Sequence, residues 1–135
     1  VIQNPDFLRE INDTVRTVMA SNNTEWVRKM GENPAFQVTY GSPTLIVVSG
    51  RTDSLSWKVD CSAAIENMLL AAESLGLGTV WLGLMRHYFG QADAAKRLVI
   101  PEGFEPFYGV SLGYSAVKGT PTCPTRKTDV VNFIR

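Results

Sequence analysis

The chain has 135 residues, about one domain in length, and its composition of 44% apolar and 19% charged residues excludes a disordered polymer. Its 13 basic residues balance 13 acidic ones, which argues against nucleic-acid and membrane-surface partners. Two cysteines and one histidine are too few for a disulfide scaffold or a multi-histidine metal site. There is no membrane-length apolar run and no secretory signal pattern, so the cytoplasm is the expected compartment.

The first elements are predicted to be helices. Asn4 is suited to cap a helix that begins at Pro5, because proline at the first helical position loses no hydrogen bond. One face of this helix is apolar at three- and four-residue spacing: Leu8, Ile11, Val15, Val18 and Met19. A short second helix is expected from Thr24 to Met30, with Gly31 as its C-terminal stop.

A loop and a strand follow. The loop carries two aromatic residues, Phe36 and Tyr40, between proline- and glycine-containing turns. The β-branched run from Thr44 to Ser49 is short and bounded by Pro43 and Gly50. It is predicted to be a strand buried on both faces.

The clearest helix is predicted from Cys61 to Leu75, with Asp60 as its N-cap and Gly76 as its left-handed stop. Its apolar stripe is wide, so the helix is expected to be largely buried and central to the core. The residues expected to face inward are Ala64, Ile65, Met68, Leu69, Ala72 and Leu75.

Two more strands are predicted, at Thr79–Leu82 and Phe107–Leu112, with a short helix from Gln91 to Leu98 between them. The segment Ile100–Gly103 is expected to turn the chain. Alternating helices and strands predict a three-layer α/β or α+β sandwich. Three strands make a thin sheet, which leaves two alternatives: a partner chain completes it, or the sequence is incomplete.

Few residues suggest chemistry on their own. Cys61 and the lone His87 are interpreted as an inert buried thiol and a surface or interface histidine, the latter in a loop. The strand that ends at Gly83 exposes backbone N–H groups with no side chain in front of them, although an ordinary strand end explains it as well. Arg126 and Lys127 lie in a proline-flanked tail and are suited either to an anion or simply to solvent.

Three segments, in order, resemble the nitroreductase family of flavoproteins. The stretch from Asp60 to Gly83 contains an Asp-led helix, Asn-x-Leu-Leu-Ala-Ala and then Gly-Leu-Gly-x-x-Trp-x-Gly. The segment 41–48, Gly-Ser-Pro-Thr-Leu-Ile-Val-Val, is similar to the family's Ala-Pro-led strand. The segment 100–114 is similar to its Leu-Pro-Glu-Gly turn and its final core strand, which ends in Gly-Tyr.

The resemblance implies an α+β fold, a three-layer α/β/α sandwich with a mostly antiparallel central sheet flanked by helices. It implies one nitroreductase-like domain over residues 1–135, without the family's N-terminal flavin-binding segment, which bears Arg-x-Ser-x-Arg and a loop near Gln-Pro-Trp. A natural short form, a truncation and the ordered remainder of a longer protein are the alternatives. The resemblance also implies a homodimer, and an apolar tail independently suggests one: Val130, Val131, Phe133 and Ile134.

By the same resemblance the cofactor is FMN. The amides of Gly83 and Leu84 would lie near its N5 and O4, Trp81 and Leu82 beside or over the ring, and Arg126 at the phosphate. No catalytic side chain and no metal are expected, because the flavin itself carries the hydride. Two hypotheses follow: an FMN-dependent oxidoreductase that passes a hydride from NAD(P)H to a nitro, quinone or related acceptor, and a flavin-binding or scaffold protein without turnover of its own.

Overall fold

A computed structural model describes residues 1–116, 124–127 and 129–134, and all helices and strands found there lie before residue 115. The elements are α1 (Pro5–Ala20), α2 (Glu25–Glu32), β1 (Thr44–Arg51), α3 (Trp57–Ser74), β2 (Leu77–Leu82), α4 (Arg86–Phe89), α5 (Ala94–Arg97) and β3 (Phe104–Tyr114). A 3-10 turn, Gly83–Met85, joins β2 to α4. In the part of the chain that the structure describes, no helix is long and apolar enough to cross a membrane.

Helix α1 forms as its sequence predicts. The Asn4 side chain accepts hydrogen bonds from the N–H groups of Asp6 and Phe7, each at 3.0 Å, so two of the helix's unpartnered donors are satisfied. The predicted apolar face packs inward, with four residues buried: Leu8, Ile11, Val15 and Met19. This helix therefore supplies one side of the main core.

The predicted role of Gly31 is wrong. Helix α2 continues through Gly31 to Glu32, and Asn33 ends it, because the following Pro34 disfavours a helical conformation at the residue before it. Gly31 lies against the C-terminal part of α1: a Cβ built on it would be 2.2 Å from the Ala20 nitrogen. The residue is glycine because the two helix backbones touch.

The predicted start and burial of α3 are also wrong. The helix begins at Trp57, one turn before Cys61, and the Trp57 ring packs edge-to-face on Phe107 with centroids 5.7 Å apart. Asp60 lies inside the first turn, where its carboxylate accepts a hydrogen bond from the Ser56 hydroxyl at 2.8 Å. Only a narrow stripe is buried, Cys61, Ile65 and Ala72.

The outer face of α3 is apolar and open to solvent. Leu75, expected to face inward, lies just after the end of α3 and is 74% exposed, and Val59 and Leu70 on the outer face of the helix are exposed as well. Ala64, Met68 and Leu69 are only half-buried. The apolar composition of this helix thus exceeds what its contact with the sheet can bury.

The sheet is antiparallel with strand order β1-β3-β2, so β3 is central. Both outer strands pair with β3 along most of their length, and β1 has a register irregularity between Val48 and Ser49. The strands run longer than predicted. The expectation that β1 is buried on both faces is wrong, because β1 is an edge strand and residues 46–49 are only half-buried.

Helices cover both faces of the sheet, which confirms the α+β class and the three-layer arrangement. Gly109 of β3 faces the α1 side, where an added Cβ would meet the side chains of Met85, Leu45 and Leu82. Gly50 of β1 faces α3, since an added Cβ would lie 2.8 Å from the Cys61 sulfur. The main core lies on the α1 side and includes residues of α2, α4 and α5.

Between β2 and β3 the helices differ from the prediction. Helix α5 is a single turn inside the predicted span Gln91–Leu98, and His87 belongs to α4 rather than to a loop. The Ile100–Gly103 turn is confirmed, with Gly103 at a φ of +78°. The apolar tail residues Val130, Val131, Phe133 and Ile134 are all exposed, and Cys123 lies outside the described residues.

Candidate functional site

The end of β2 brings four of the predicted site residues to one place. Trp81 packs edge-to-face against Tyr108 of β3, with ring centroids 5.5 Å apart. Leu82 points the other way and is buried in the main core, so its side chain is not available to a ligand. Gly83 is exposed and Leu84 half-buried at the start of the 3-10 turn.

The space in front of Gly83 is open. Among the described residues, the nearest atom to a Cβ built there is Cε1 of Tyr108 at 3.8 Å, an ordinary contact, so their packing does not require glycine at this position. The first N–H groups of a helical turn have no acceptor within that turn. The end of β2 therefore presents backbone donors to an unobstructed surface.

A small cavity adjoins this strand end. Its volume is about 40 Å³, and its walls are Phe36, Val38, Tyr40 and the segment 81–84. Such a volume holds a few water molecules at most. A flat ring at this place would lie across the mouth of the cavity rather than inside it.

The loop that forms the other wall is fixed by a buried polar network. Asn12 of α1 accepts a hydrogen bond from the Thr39 N–H at 3.1 Å and donates one to the Thr39 hydroxyl at 3.0 Å. The Ser111 hydroxyl of β3 donates to the Thr39 carbonyl at 2.8 Å. Thr39 is 1% exposed, so a helix, the loop and the central strand are tied together at one residue.

Removing the amide of this network is expected to destabilise the fold. In Asn12→Ala, the N–H and hydroxyl of the buried Thr39 lose their partners, and we expect a loss of about 2 kcal/mol in the free energy of unfolding. Urea unfolding followed by circular dichroism measures it. Thr17→Ala on the same helix is the control, because the exposed Thr17 hydroxyl bonds only its own helix. Equal stability of the two variants would contradict the structural role of the network.

The structure does not join Arg126 to this site. Arg126 and Lys127 are exposed, and the described residues of the tail form no helix or strand. Their segment lies beyond the end of β3 at Tyr114. The predicted phosphate contact of Arg126 therefore stays a prediction.

Burial shifts the pKa values of the two residues interpreted above as an inert thiol and a surface or interface histidine, Cys61 and His87. Burial, and secondarily the Asp60 carboxylate, raises the pKa of the Cys61 thiol, in keeping with an inert thiol. His87 has its Nε2 buried without a hydrogen-bond partner among the described residues, and burial followed by the nearby Arg86 lowers its pKa. Among the described residues, no group of three or more His, Cys, Asp or Glu side chains is placed to hold a metal ion.

The sequence interpretation missed Phe36 and Tyr40 as neighbours of the strand end. They were visible only as aromatic residues in a loop. Their placement depends on the bonds that Thr39 makes with residues far away in sequence, and Thr39 itself carries no signal of that role. The local hint is the Gly-Ser-Pro sequence directly after Tyr40, because these residue types favour tight turns.

Comparison with known proteins defines the class. The sequence profile of the "Nitroreductase family" matches residues 1–114, so the chain belongs to the nitroreductase family. It is 38% identical over 96 residues to a "Putative NADH dehydrogenase/NAD(P)H nitroreductase" of Archaeoglobus fulgidus, covering 67% of this chain and 55% of that protein. It is 32% identical over 98 residues to an "NADPH-flavin oxidoreductase" of Vibrio harveyi, covering 70% of this chain and 40% of that protein. The chain thus spans about half the length of these relatives or less.

Solved structures agree with the fold. A nitroreductase from Bacteroides fragilis, crystallised with bound FMN, is 27% identical and superimposes with a TM-score of 0.87 over 99% of this chain and 73% of its own. A nitroreductase with bound FMN from Desulfitobacterium hafniense, 24% identical, gives a TM-score of 0.84 over the same shares of the two chains. The architecture described above is therefore the nitroreductase fold.

Proposed function

We propose that this chain is part of an FMN-dependent oxidoreductase that moves a hydride from NAD(P)H through the flavin to a nitro, quinone or related acceptor. The observation that carries the proposal is the family match over residues 1–114, together with the open strand end at Gly83. The names of the relatives support NAD(P)H as the donor, and the FMN-bound neighbours support the cofactor.

The described residues fit one edge of a flavin. The backbone N–H groups of Gly83 and Leu84, at the start of the 3-10 turn, suit N5 and O4 of the ring, and hydrogen bonds there favour the more electron-rich reduced flavin. Trp81 would lie beside this edge, whereas Leu82 would contribute only its backbone, since its side chain is buried. When bound, FMN would supply the hydride chemistry; the chain's own residues bind and orient it, and no side chain needs to move a proton.

Two measurements test this function. Purified protein is expected to take up FMN with the absorbance bands of bound flavin, and to oxidise NADH or NADPH when a quinone is added. Uptake of FMN without oxidation of either nucleotide would favour the second candidate, a flavin-binding or scaffold protein without turnover. One observation favours that candidate: at the end of β2 the described residues provide one edge and one small cavity rather than an enclosed ring site.

Arg126 is proposed as a phosphate ligand. A charge-assisted contact between a guanidinium and a phosphate is worth about 1.5–3 kcal/mol, which corresponds to about a ten- to hundred-fold change in affinity. Arg126→Ala is therefore expected to weaken FMN binding by that factor, with the fold unchanged because the residue is exposed. Fluorescence titration with FMN measures the dissociation constant.

The matched control is the neighbouring cation. In an extended tail, successive side chains point in opposite directions, so Lys127→Ala is expected to change FMN affinity much less. Equal affinity of the wild type and Arg126→Ala would remove Arg126 from the site.

We also propose a homodimer of this chain. The outer face of α3 exposes Val59 and Leu70, Leu75 is exposed just after the helix, and the tail exposes four further apolar residues. Obligate interfaces are large and apolar, and a second copy of the chain would cover both surfaces. Light scattering is expected to give twice the chain mass at micromolar concentration, and a monodisperse monomer would contradict the proposal.

A further inference from the structure

Tyr40 adopts a backbone conformation that its side chain does not favour. Its φ is +55°, in the left-handed region where residues other than glycine are uncommon. Its side chain gives little packing in return, since the residue is 67% exposed. An asparagine or glycine would fit this backbone with less strain.

The conformation is enforced by the residues around Tyr40. Thr39, directly before it, is held by Asn12 and Ser111 as described above. The Tyr40 N–H donates to the Gln37 carbonyl at 3.0 Å, and the Ser42 N–H donates to the Thr39 carbonyl at 3.1 Å. The loop is thus pinned on both sides of the tyrosine, and strain that persists in this way is found most often at functional sites.

The Tyr40 ring lies beside the place where a ligand of the proposed site would bind. Tyr40 lines the cavity whose opposite wall is the segment 81–84, including the exposed Gly83. The cavity walls contain no carboxylate, ammonium or guanidinium group. Aromatic and aliphatic walls without charge complement a flat, uncharged ring, which gains from offset or edge-to-face contact with tyrosine.

We propose that Tyr40 is a specificity-determining residue, an aromatic wall against which a flat aromatic acceptor, a quinone or a nitroaromatic, packs beside the Gly83 strand end. The assignment rests on the proposed function, because that function places the flavin at the same strand end. Tyr40 takes no part in electron or proton transfer. It holds the acceptor ring close to Gly83 by contact alone, and the rigid loop fixes where that contact is made.

The test uses two variants that separate the ring from the hydroxyl. Tyr40→Asn removes the ring and suits the left-handed backbone, whereas Tyr40→Phe keeps the ring. With the FMN-loaded protein, the KM for 2-methyl-1,4-naphthoquinone is expected to rise about three- to ten-fold in Tyr40→Asn, the range of one lost aromatic contact, and less than about two-fold in Tyr40→Phe. The FMN dissociation constant is expected to stay the same in both variants.

A second readout requires no turnover. Calorimetric titration of the oxidised, FMN-loaded protein with the same naphthoquinone, without NAD(P)H, is expected to show the same weakening in Tyr40→Asn. The melting temperature of this variant should equal or exceed that of the wild type, because strain is relieved. Unchanged quinone affinity in Tyr40→Asn would overturn the assignment, and so would a loss of FMN affinity as large as the loss of quinone affinity. Wild-type protein that takes up no FMN would refute the proposed function before any variant is compared.

Discussion

Replacing Gly31 with alanine is expected to cost at least about 3 kcal/mol of unfolding free energy, at the upper end for an overpacked site. The added Cβ would lie 2.2 Å from the Ala20 nitrogen and 2.7 Å from the Arg16 carbonyl oxygen. Both are backbone atoms of the α1 segment, which cannot rotate away as a side chain would. The helices must separate, and their separation opens the core around Met19 and Val27.

A matched glycine provides the control. Gly90 follows α4 with a φ of −75°, and a Cβ there would be 3.5 Å from the nearest atom, the Arg86 carbonyl oxygen. Gly90→Ala is therefore expected to change stability by no more than about 0.5 kcal/mol. Chemical unfolding of both variants at one protein concentration gives the comparison. A Gly31→Ala protein as stable as Gly90→Ala would show that α1 and α2 do not touch as described.

Local signals in the sequence were sufficient to predict the features that depend on local interactions. The Asn4 cap of α1 bonds residues two and three positions away, and Gly76, at a φ of +72°, ends α3 as predicted. The positions of the three strands along the chain also match the three family motifs. These features depend on residues close together in the chain, so a single sequence contains them.

The errors share a different cause. Gly31 and the start of α3 were misjudged because their partners, Ala20 and Phe107, lie elsewhere in the sequence. A glycine after an apolar run indicates the end of a helix in either case, so the sequence does not show that a second helix packs against that glycine. Of the candidate site, the four residues at the end of β2 were identified from a sequence motif. Tyr40 lies far from them in the sequence, and only the fold brings it next to them.

The exposed face of α3 was misjudged for a related reason. A helix rich in alanine and leucine is apolar around most of its circumference, so periodicity does not tell which stripe meets the sheet. The sheet-facing residue with no exposed surface is Ile65, while Leu69 is half-buried and Leu70 is 61% exposed. Variants of Ile65 and Leu70 can therefore distinguish a side chain buried within one chain from a side chain buried between two chains.

Ile65→Ala is expected to cost about 2–5 kcal/mol, the range for an emptied core site of this size. The loss should be independent of protein concentration, because Ile65 lies beneath α3 within a single chain. Leu70→Ala is expected to cost less than about 0.5 kcal/mol in a monomer, as exposed positions do. If two copies cover this face, the Leu70→Ala cost grows instead and the apparent stability depends on protomer concentration.

Unfolding of both variants in urea at two protein concentrations, tenfold apart, distinguishes these cases. A cost for Ile65→Ala below that of Leu70→Ala at the lower concentration would mean that α3 meets the sheet through another stripe. If the urea midpoint of the wild type depends on protein concentration and Leu70→Ala reduces that dependence, the outer face of α3 lies in the dimer interface. The same pair of residues thus tests both the packing of the sheet layer and the proposed assembly.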